Sequence, residues 1–293
     1  MLQAVDPFPE TLVYKAGGSS LAKRIFSDQV VLPTRSRRAH VSLFPTYPPG
    51  YMQASGGTVF IVHDLTWWKY PEMASAAGRY YYRPLANMWA HRATRLVTVS
   101  EAMAIEMRDY FNREVDVVSN VVAPVPFRSA AKRKVKPYFL AVGSVEPRKN
   151  LSGLWRAFQR SSLQRDFDLV LVGRQAWGTV PDGIRFTGPV SDEVLTALYQ
   201  GAQAFFAASF YEGFGLPVGE ATALGTPVYC SDIPAFREAT SGLAQQYFDP
   251  TSIEAMSHAF TTAASASDRP LPHNPFTVER MRSQLAVVLK NAF

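Results

Sequence analysis

Hydrophobic positions along the chain fall into short dense blocks separated by longer, weakly amphipathic stretches. In the first half the blocks lie at 11–15 (TLVYK), 40–44 (HVSLF), 58–62 (TVFIV), 95–100 (RLVTVS) and 115–119 (VDVVS). They are rich in Val, Ile or Phe and end at turn chemistry or at a helix start, which predicts strands. Apolar residues occupy consecutive rather than alternate positions. Such strands are covered on both faces, so the pattern predicts a parallel sheet between layers of helix. The intervening stretches PEMASAAGRYYYRPLANMWAHRA and SEAMAIEMRDYF read as helices, the first opened by Pro71 and the second capped by Ser100.

The rhythm breaks at 123–137 (APVPFRSAAKRKVKP), which is proline-rich and then basic, as an interdomain linker would be. It restarts with blocks at 138–143, 167–173, 184–188, 204–209, 226–231 and near 242–249. Helices are predicted at LSGLWRAFQRS, at SDEVLTALYQGA, from Pro217 to about Ala223, and in a last stretch, TVERMRSQLAVVLKNAF. The fold class is therefore α/β, with two Rossmann-like domains facing a cleft. The domains are 1–135 and 136–275, and a closing helix within 276–293 is placed to pack back on the first domain. Ligands of such sheets bind beyond the carboxyl ends of the strands, so residues that directly follow strands matter most.

Composition narrows the class. Of 293 residues, 47% are hydrophobic and 18% charged, ordinary for a globular chain. No apolar run approaches the ~18 residues of a spanning helix, and the opening residues lack a signal peptide's basic start and apolar centre. Cys230 is the one cysteine, inside a predicted strand, which excludes a disulfide framework. A cytoplasmic protein is expected. The net charge of +6 is uneven: residues 1–137 hold 18 Lys and Arg against 10 Asp and Glu, while residues 138–293 hold 12 against 14. The basic half is either a solvated face or an attraction for phosphorylated substrate or anionic lipid, with peripheral membrane contact through the N-terminal domain as one consequence. Trp67, Trp68, Lys69 and Tyr70 fit a lipid surface or a buried aromatic cluster equally well. No nucleic-acid partner is expected.

The richest chemistry follows the block at 204–209, where the chain reads FYEGFGLPVGE. Pro217 suits the first turn of a helix and Gly225 its end. Gly213, Phe214, Gly215 and Leu216 bring backbone close to a ligand at a helix start, which suits phosphate. Glu212 in the loop and Glu220 in the first turn flank that seat, and carboxylates accept from vicinal hydroxyls. A sugar nucleotide has that layout: sugar hydroxyls, diphosphate, ribose hydroxyls. Arg148 and Lys149 follow another predicted strand and either neutralise a diphosphate or form a solvated pair. Gly173 and Arg174 follow a third, with the same alternatives. His63 and Asp64 end the 58–62 block, as a turn or as polar groups aimed at a ligand. The five histidines, at 40, 63, 91, 258 and 273, lack ligand spacing, and Asp166 and Asp168 precede a strand rather than follow it. No metal and no cofactor is expected.

The segments LAVGSVEPRKN, LVLVGRQAWG, IRFTGPVSDEVLTALYQGA and SFYEGFGLPVGEATALGTPVYCSDIPAFRE, in that order, resemble glycosyltransferase family 4, whose members are retaining enzymes of the GT-B fold. The branch resembles bacterial mannosyl- and rhamnosyltransferases of surface polysaccharide synthesis. The resemblance runs from about residue 25 to the end and is strongest over 138–240. It implies a nucleotide-sugar donor, with GDP-mannose favoured, and a glycan or lipid-linked oligosaccharide acceptor. It places Glu212 on the transferred sugar, Glu220 on the ribose, Lys149 on the diphosphate, and His63, within HDL, near the donor sugar. Ser144 stands where the family often has an arginine, and Arg148 takes over that charge in the EPRKN branch. Val121 follows Asn120 where the family has glycine. The N-terminal domain is shortened, by one or two βα units. Gly17 and Gly18 either imitate the family's first glycine-rich loop or form an ordinary turn. A non-catalytic sugar-nucleotide binder or partner subunit, and a nucleotide-sugar epimerase, stay open as alternatives.

Overall fold

The computed structural model describes residues 21–52, 56–73, 76–123, 136–175 and 179–293. The block at 11–15, Gly17, Gly18 and most of the 123–137 stretch lie outside the described residues. The chain divides into two compact units, Met1–Val121 with Phe276–Phe293, and Val122–Pro275.

In unit 1 the strands β1 (Val41–Phe44), β2 (Gly57–Ile61), β3 (Arg95–Thr98) and β4 (Asp116–Val117) lie side by side in chain order, all parallel. Val59, Phe60, Ile61 and Val62 are all buried, as are Leu96 and Val97. Consecutive burial is the two-faced covering that their unbroken apolar sequence implies. The helix Glu101–Phe111 opens on Ser100, whose hydroxyl accepts from the Met103 N–H at 3.1 Å. Such a cap contributes about 1 kcal/mol.

The stretch expected to be one helix from Pro71 is broken. Pro71–Met73 is a 3₁₀ turn, Gly78–Tyr82 is π-helical, and the α-helix proper is Arg83–Arg92. Pro84 has no N–H to give, and the Arg83 N–H reaches back to the Gly78 carbonyl, which widens the turn. Of the four residues at 67–70, Trp68 is buried with its ring edge-on to Phe111 at 5.4 Å, and Trp67 stacks on Tyr82 at 6.1 Å. These two tryptophans serve an aromatic cluster.

The helix Val278–Lys290 completes unit 1. It buries Met281, Leu285 and Val288 on one face. Its Gln284 side chain accepts from the Ser119 N–H at 2.9 Å.

Unit 2 contains β5 (Tyr138–Val142), β6 (Asp168–Val172), β7 (Arg185–Gly188), β8 (Ala204–Ala207), β9 (Val228–Ser231) and β10 (Gln246–Phe248). They form one parallel sheet in the order β10-β9-β8-β5-β6-β7. That is the doubly wound arrangement, with the winding reversing between β5 and β8. Under it, Phe139, Phe158, Phe206 and Phe260 form an aromatic core, the last two stacked at 4.0 Å. Phe158 and Phe260 come from the helices Leu151–Arg160 and Ile253–Ser265. Entry to and exit from unit 2 are adjacent: the Asn274 side chain donates to the Val122 carbonyl at 2.6 Å.

Two stability outcomes follow from unit 1. Leu285 is fully buried, so Leu285→Ala is expected to cost about 2–5 kcal/mol. That lowers the thermal midpoint by on the order of 10 °C. The exposed neighbour Val287→Ala should change it little. Asp28 is the second case. Burial lifts its carboxyl to about 6, with Arg24 pulling it back part way. Arg24 shares its helical segment, and the Asp28 charge also reaches Tyr81 and Tyr82 of the π turn. Its folded pKa lies above the unfolded one, so the native state holds the proton more tightly and stability falls as pH rises from about 4 to 6. Asp28→Asn should therefore raise the thermal midpoint at pH 8 and leave it nearly unchanged at pH 4, as scanning calorimetry at both values would show.

Candidate functional site

The tails of β5 and β6 set the geometry first. Gly143 and Gly173 have φ of 151° and 154°, and a Cβ on Gly173 would run into the Gly143 carbonyl. Gly173 can approach the β5 tail this closely because it carries no side chain, whereas a Cβ on Gly143 would meet the Lys149 side chain. Gly173 thus has a packing reason for being glycine. Past Gly143 the chain makes a 3₁₀ turn, Pro147–Lys149, and Asn150 in the left-handed region (φ 52°) starts the next helix. Asn150 also donates to the Pro250 carbonyl at 2.8 Å. Arg148 and Lys149 are therefore carried on a fixed turn.

The loop after β8 meets that turn. The Phe210 N–H donates to the Arg148 carbonyl at 2.8 Å, which stitches the two loops together. The helix Leu216–Ala223 begins at Gly215, with φ 98° and Pro217 in its first turn. A Cβ on Gly215 would lie 2.7 Å from the Phe236 ring, so ring and glycine hold the helix start in place. Phe236 comes from the short helix Pro234–Ala239.

Between these loops, at the carboxyl ends of β5 and β8, lies a small cavity open to solvent. Ser144, Lys149, Ser209, Glu212, Gly215 and Pro217 are among its lining residues. It occupies the point where the winding of the sheet reverses, the expected place for a ligand.

Glu212 is the electrostatic centre. Its Oε2 accepts from Arg148 Nη1 at 2.6 Å, and its Oε1 is paired with Lys149 Nζ and accepts from Ser209 Oγ at 2.9 Å. Arg148 is further held by Glu146 at 2.9 Å and the Tyr211 carbonyl at 3.2 Å. Burial alone would push the Glu212 carboxyl up, but Lys149 and Arg148 outweigh it and hold the group below the ordinary carboxylate range. With Glu146 on Arg148, the cluster holds two cations and two carboxylates, of which Lys149 and Glu212 line the cavity beside the helix start.

Glu220 has a different setting. It is half-buried, accepts from the Tyr199 hydroxyl at 2.9 Å, and does not line the cavity. Its carboxyl is raised by burial, which the Tyr199 bond partly offsets. Phe214 is buried beneath the loop, Gly213 is buried too, and Leu216 is exposed. His63 belongs to unit 1, exposed after β2, with Nε2 2.6 Å from the Pro45 carbonyl. Asp64 caps a turn by accepting from the Thr66 N–H at 2.8 Å. Asp168 starts β6 and pairs with Lys136 at 2.9 Å. Among the described residues no group of three or more His, Cys, Asp and Glu side chains is placed to hold a metal. Sequence reasoning missed Ser209, Tyr199 and Phe236. Only Ser209, three residues before Glu212, sits close enough in the chain to have been found.

The family described as glycosyl transferases group 1 matches residues 126–274. O-antigen chain mannosyltransferase B of Escherichia coli is 39% identical over 133 residues, 41% of this chain and 35% of that protein. A GDP-mannose:cellobiosyl-diphosphopolyprenol alpha-mannosyltransferase of Xanthomonas oryzae pv. oryzae is 26% identical over 195 residues, 57% of this chain and 50% of that protein. The chain spans about a third to a half of the length of these relatives. Anabaena Alr3699/HepE, solved in complex with UDP and glucose, superposes with a TM-score of 0.63 at 16% identity, over 80% of this chain and 72% of that one. That likeness shows a shared fold, GT-B.

Removing the carboxylate takes from Lys149 its ion partner Glu212 and from Arg148 one of its two acids, Glu146 remaining. Glu212→Ala is therefore expected to destabilise the protein by about 3–5 kcal/mol at pH 7. The folded pKa of Glu212 lies below its unfolded value, so its contribution is complete above the ordinary carboxylate pKa and disappears as pH falls through the folded value. Urea denaturation should show a gap between wild type and variant that is full at pH 7 and narrows below about pH 4.

Proposed function

Because the chain belongs to the group 1 glycosyl transferases, we propose that it moves a hexose, mannose by preference, from a nucleoside diphosphate sugar to a glycan or lipid-linked acceptor in polysaccharide assembly. The anomeric configuration is retained. One observation carries this reading: Glu212, paired with Arg148 and Lys149, lines a cavity at the reversal point of a doubly wound sheet. Mannose is supported by the names of the mannosyltransferase relatives, and GDP as the nucleotide by the name of one of them.

The chemistry follows from charge. A diphosphate entering the cavity competes with Glu212 for Arg148 and Lys149. When the bond from the sugar's anomeric carbon to the diphosphate breaks, its electron pair stays on the phosphate oxygen. The two cations and the start of the helix Leu216–Ala223 stabilise that charge. Glu212, released in part from its cations, accepts from hydroxyls of the transferred sugar and orients it. The acceptor hydroxyl forms the new bond on the face the diphosphate leaves, and its proton passes to the departing phosphate oxygen. Glu220 serves the ribose hydroxyls by giving up its bond with Tyr199. His63 serves a hydroxyl of the donor sugar, a role supported by its HDL setting. Neither a metal ion nor a resident cofactor has a part in this scheme.

A second reading is a non-catalytic sugar-nucleotide binder. It is favoured by the small, four-stranded sheet of unit 1 among the described residues.

Labelled GDP-mannose, UDP-glucose and dTDP-rhamnose, each with an undecaprenyl-diphosphate-linked glycan extract, should give transfer from GDP-mannose alone, with product anomers matching the donor by NMR. Lys149→Ala should lower kcat by about 10²-fold or more, the loss typical of one donor to a developing oxyanion. GDP binding without transfer, across the whole acceptor panel, would select the binder instead.

A further inference from the structure

Three side chains hold the Glu212 carboxylate, and they are of two kinds. Arg148 and Lys149 are cations on the turn Pro147–Lys149, whereas Ser209 is a neutral hydroxyl just past the end of β8, three residues before Glu212 itself. Ser209 Oγ donates to Oε1 at 2.9 Å, the oxygen that Lys149 also meets. An anion entering the cavity pulls on the cations through its charge and exerts no comparable pull on a neutral hydroxyl. Of the three bonds, the one to Ser209 is the least disturbed by an arriving diphosphate.

Ser209 is also a fixed point. It is 2% exposed and lines the cavity, and Ala208 before it is buried as well. After it, the Phe210 N–H is tied to the Arg148 carbonyl at 2.8 Å. A serine hydroxyl has one proton to give, and here it goes to Glu212.

The carboxylate has about four lone-pair sites, so one bond from Ser209 leaves room for several more. A glutamate that lost all its partners to an incoming ligand would turn freely, and it would have to give up that freedom again to meet a sugar. A retained bond from the strand end spares it that loss.

We propose that Ser209 is a positioning residue of the donor site. It keeps the Glu212 carboxylate aimed into the cavity while the diphosphate draws on Arg148 and Lys149, so that the freed lone pairs meet hydroxyls of the transferred sugar. This role rests on the donor reading above and goes beyond it by dividing the ligand in two. The cations grip the diphosphate, and the serine acts, through Glu212, on the sugar alone. A buried serine that merely satisfied its own hydroxyl would show no such division.

Titration calorimetry of the full chain near neutral pH tests this with three pairs of ligands: GDP and GDP-mannose, UDP and UDP-glucose, dTDP and dTDP-rhamnose. In the pair that binds, wild type should hold the sugar nucleotide about tenfold tighter than the bare nucleoside diphosphate, the scale of a hydrogen bond to a charged group. Ser209→Ala should lose that preference, with the loss falling on the sugar nucleotide and not on the bare nucleoside diphosphate. Should Ser209→Ala melt early, Ser209→Cys, similar in size but only a weak donor, decides by the same ratio. A preference that survives substitution overturns the role of Ser209 while the donor reading stands. Equal weakening of both ligands overturns it too, because that is the mark of a purely structural serine. If wild type binds no pair, or binds both members of a pair equally, the contact of Glu212 with the sugar fails and the proposal fails with it.

Discussion

Glu212 sits with 9% of its side-chain surface exposed, where removal from water disfavours a charged carboxylate, yet two cations keep it ionised. The balance is decided by proximity: at hydrogen-bonding distance and low exposure, attraction to Arg148 and Lys149 exceeds the desolvation cost. The three charges come from the loops after β5 and β8, the neighbouring strands at which the winding of unit 2 turns around. Around them are arranged the helix start at Gly215, the stitch from Phe210 to Arg148, and the cavity itself. An incoming dianion offers the cations a second partner of higher charge. The cluster is therefore a structural knot and, in the proposed reaction, also the place where the donor would act.

The two units are built with different tolerances. In unit 2 the strand ends are held by close backbone approach at Gly143 and Gly173, by left-handed Asn150 and by the Phe236 ring against Gly215. Each fixes a loop at the strand ends on rigid scaffold. Unit 1 instead has two π-helical turns, Ser27–Val31 and Gly78–Tyr82, and a buried acid, Asp28, one of whose oxygens has no hydrogen-bond partner. Wide turns and a poorly satisfied acid cost stability.

Much of the architecture was legible because buried parallel strands leave consecutive apolar residues, as at 58–62 and 138–143. The Pro217 helix was legible for a different reason, since glycine before and proline within a first turn have specific backbone meanings. Two helices of unit 2 went unmarked. Ile253–Ser265 is rich in Ala, Ser and Thr, and its buried stripe of Met256, Ala259, Phe260 and Ala263 is weak in large residues. Pro234–Ala239 is too short for periodicity to show. At the site, the residue types were readable but not their pairing. Glu212 meets Lys149 across 63 positions of chain, and Glu220 meets Tyr199 across 21. That an acid and a base expected to grip the same ligand would first grip each other is a fact of three dimensions.

The bond from Asn274 to Val122 brings the two ends of unit 2 side by side, while residues on both sides of that insertion build unit 1. A ribosome delivers such a chain in an awkward order. The six-stranded unit can close on itself as soon as its last residues emerge, yet the earlier, four-stranded unit must wait for Met281, Leu285 and Val288 to cover it. Unit 1 is begun before unit 2 and finished after it, so a nascent chain that stalls near residue 275 would carry a closed unit 2 and a half-covered unit 1 sheet. Removing Val278–Lys290 would injure strands far upstream in sequence rather than the unit that directly precedes the helix.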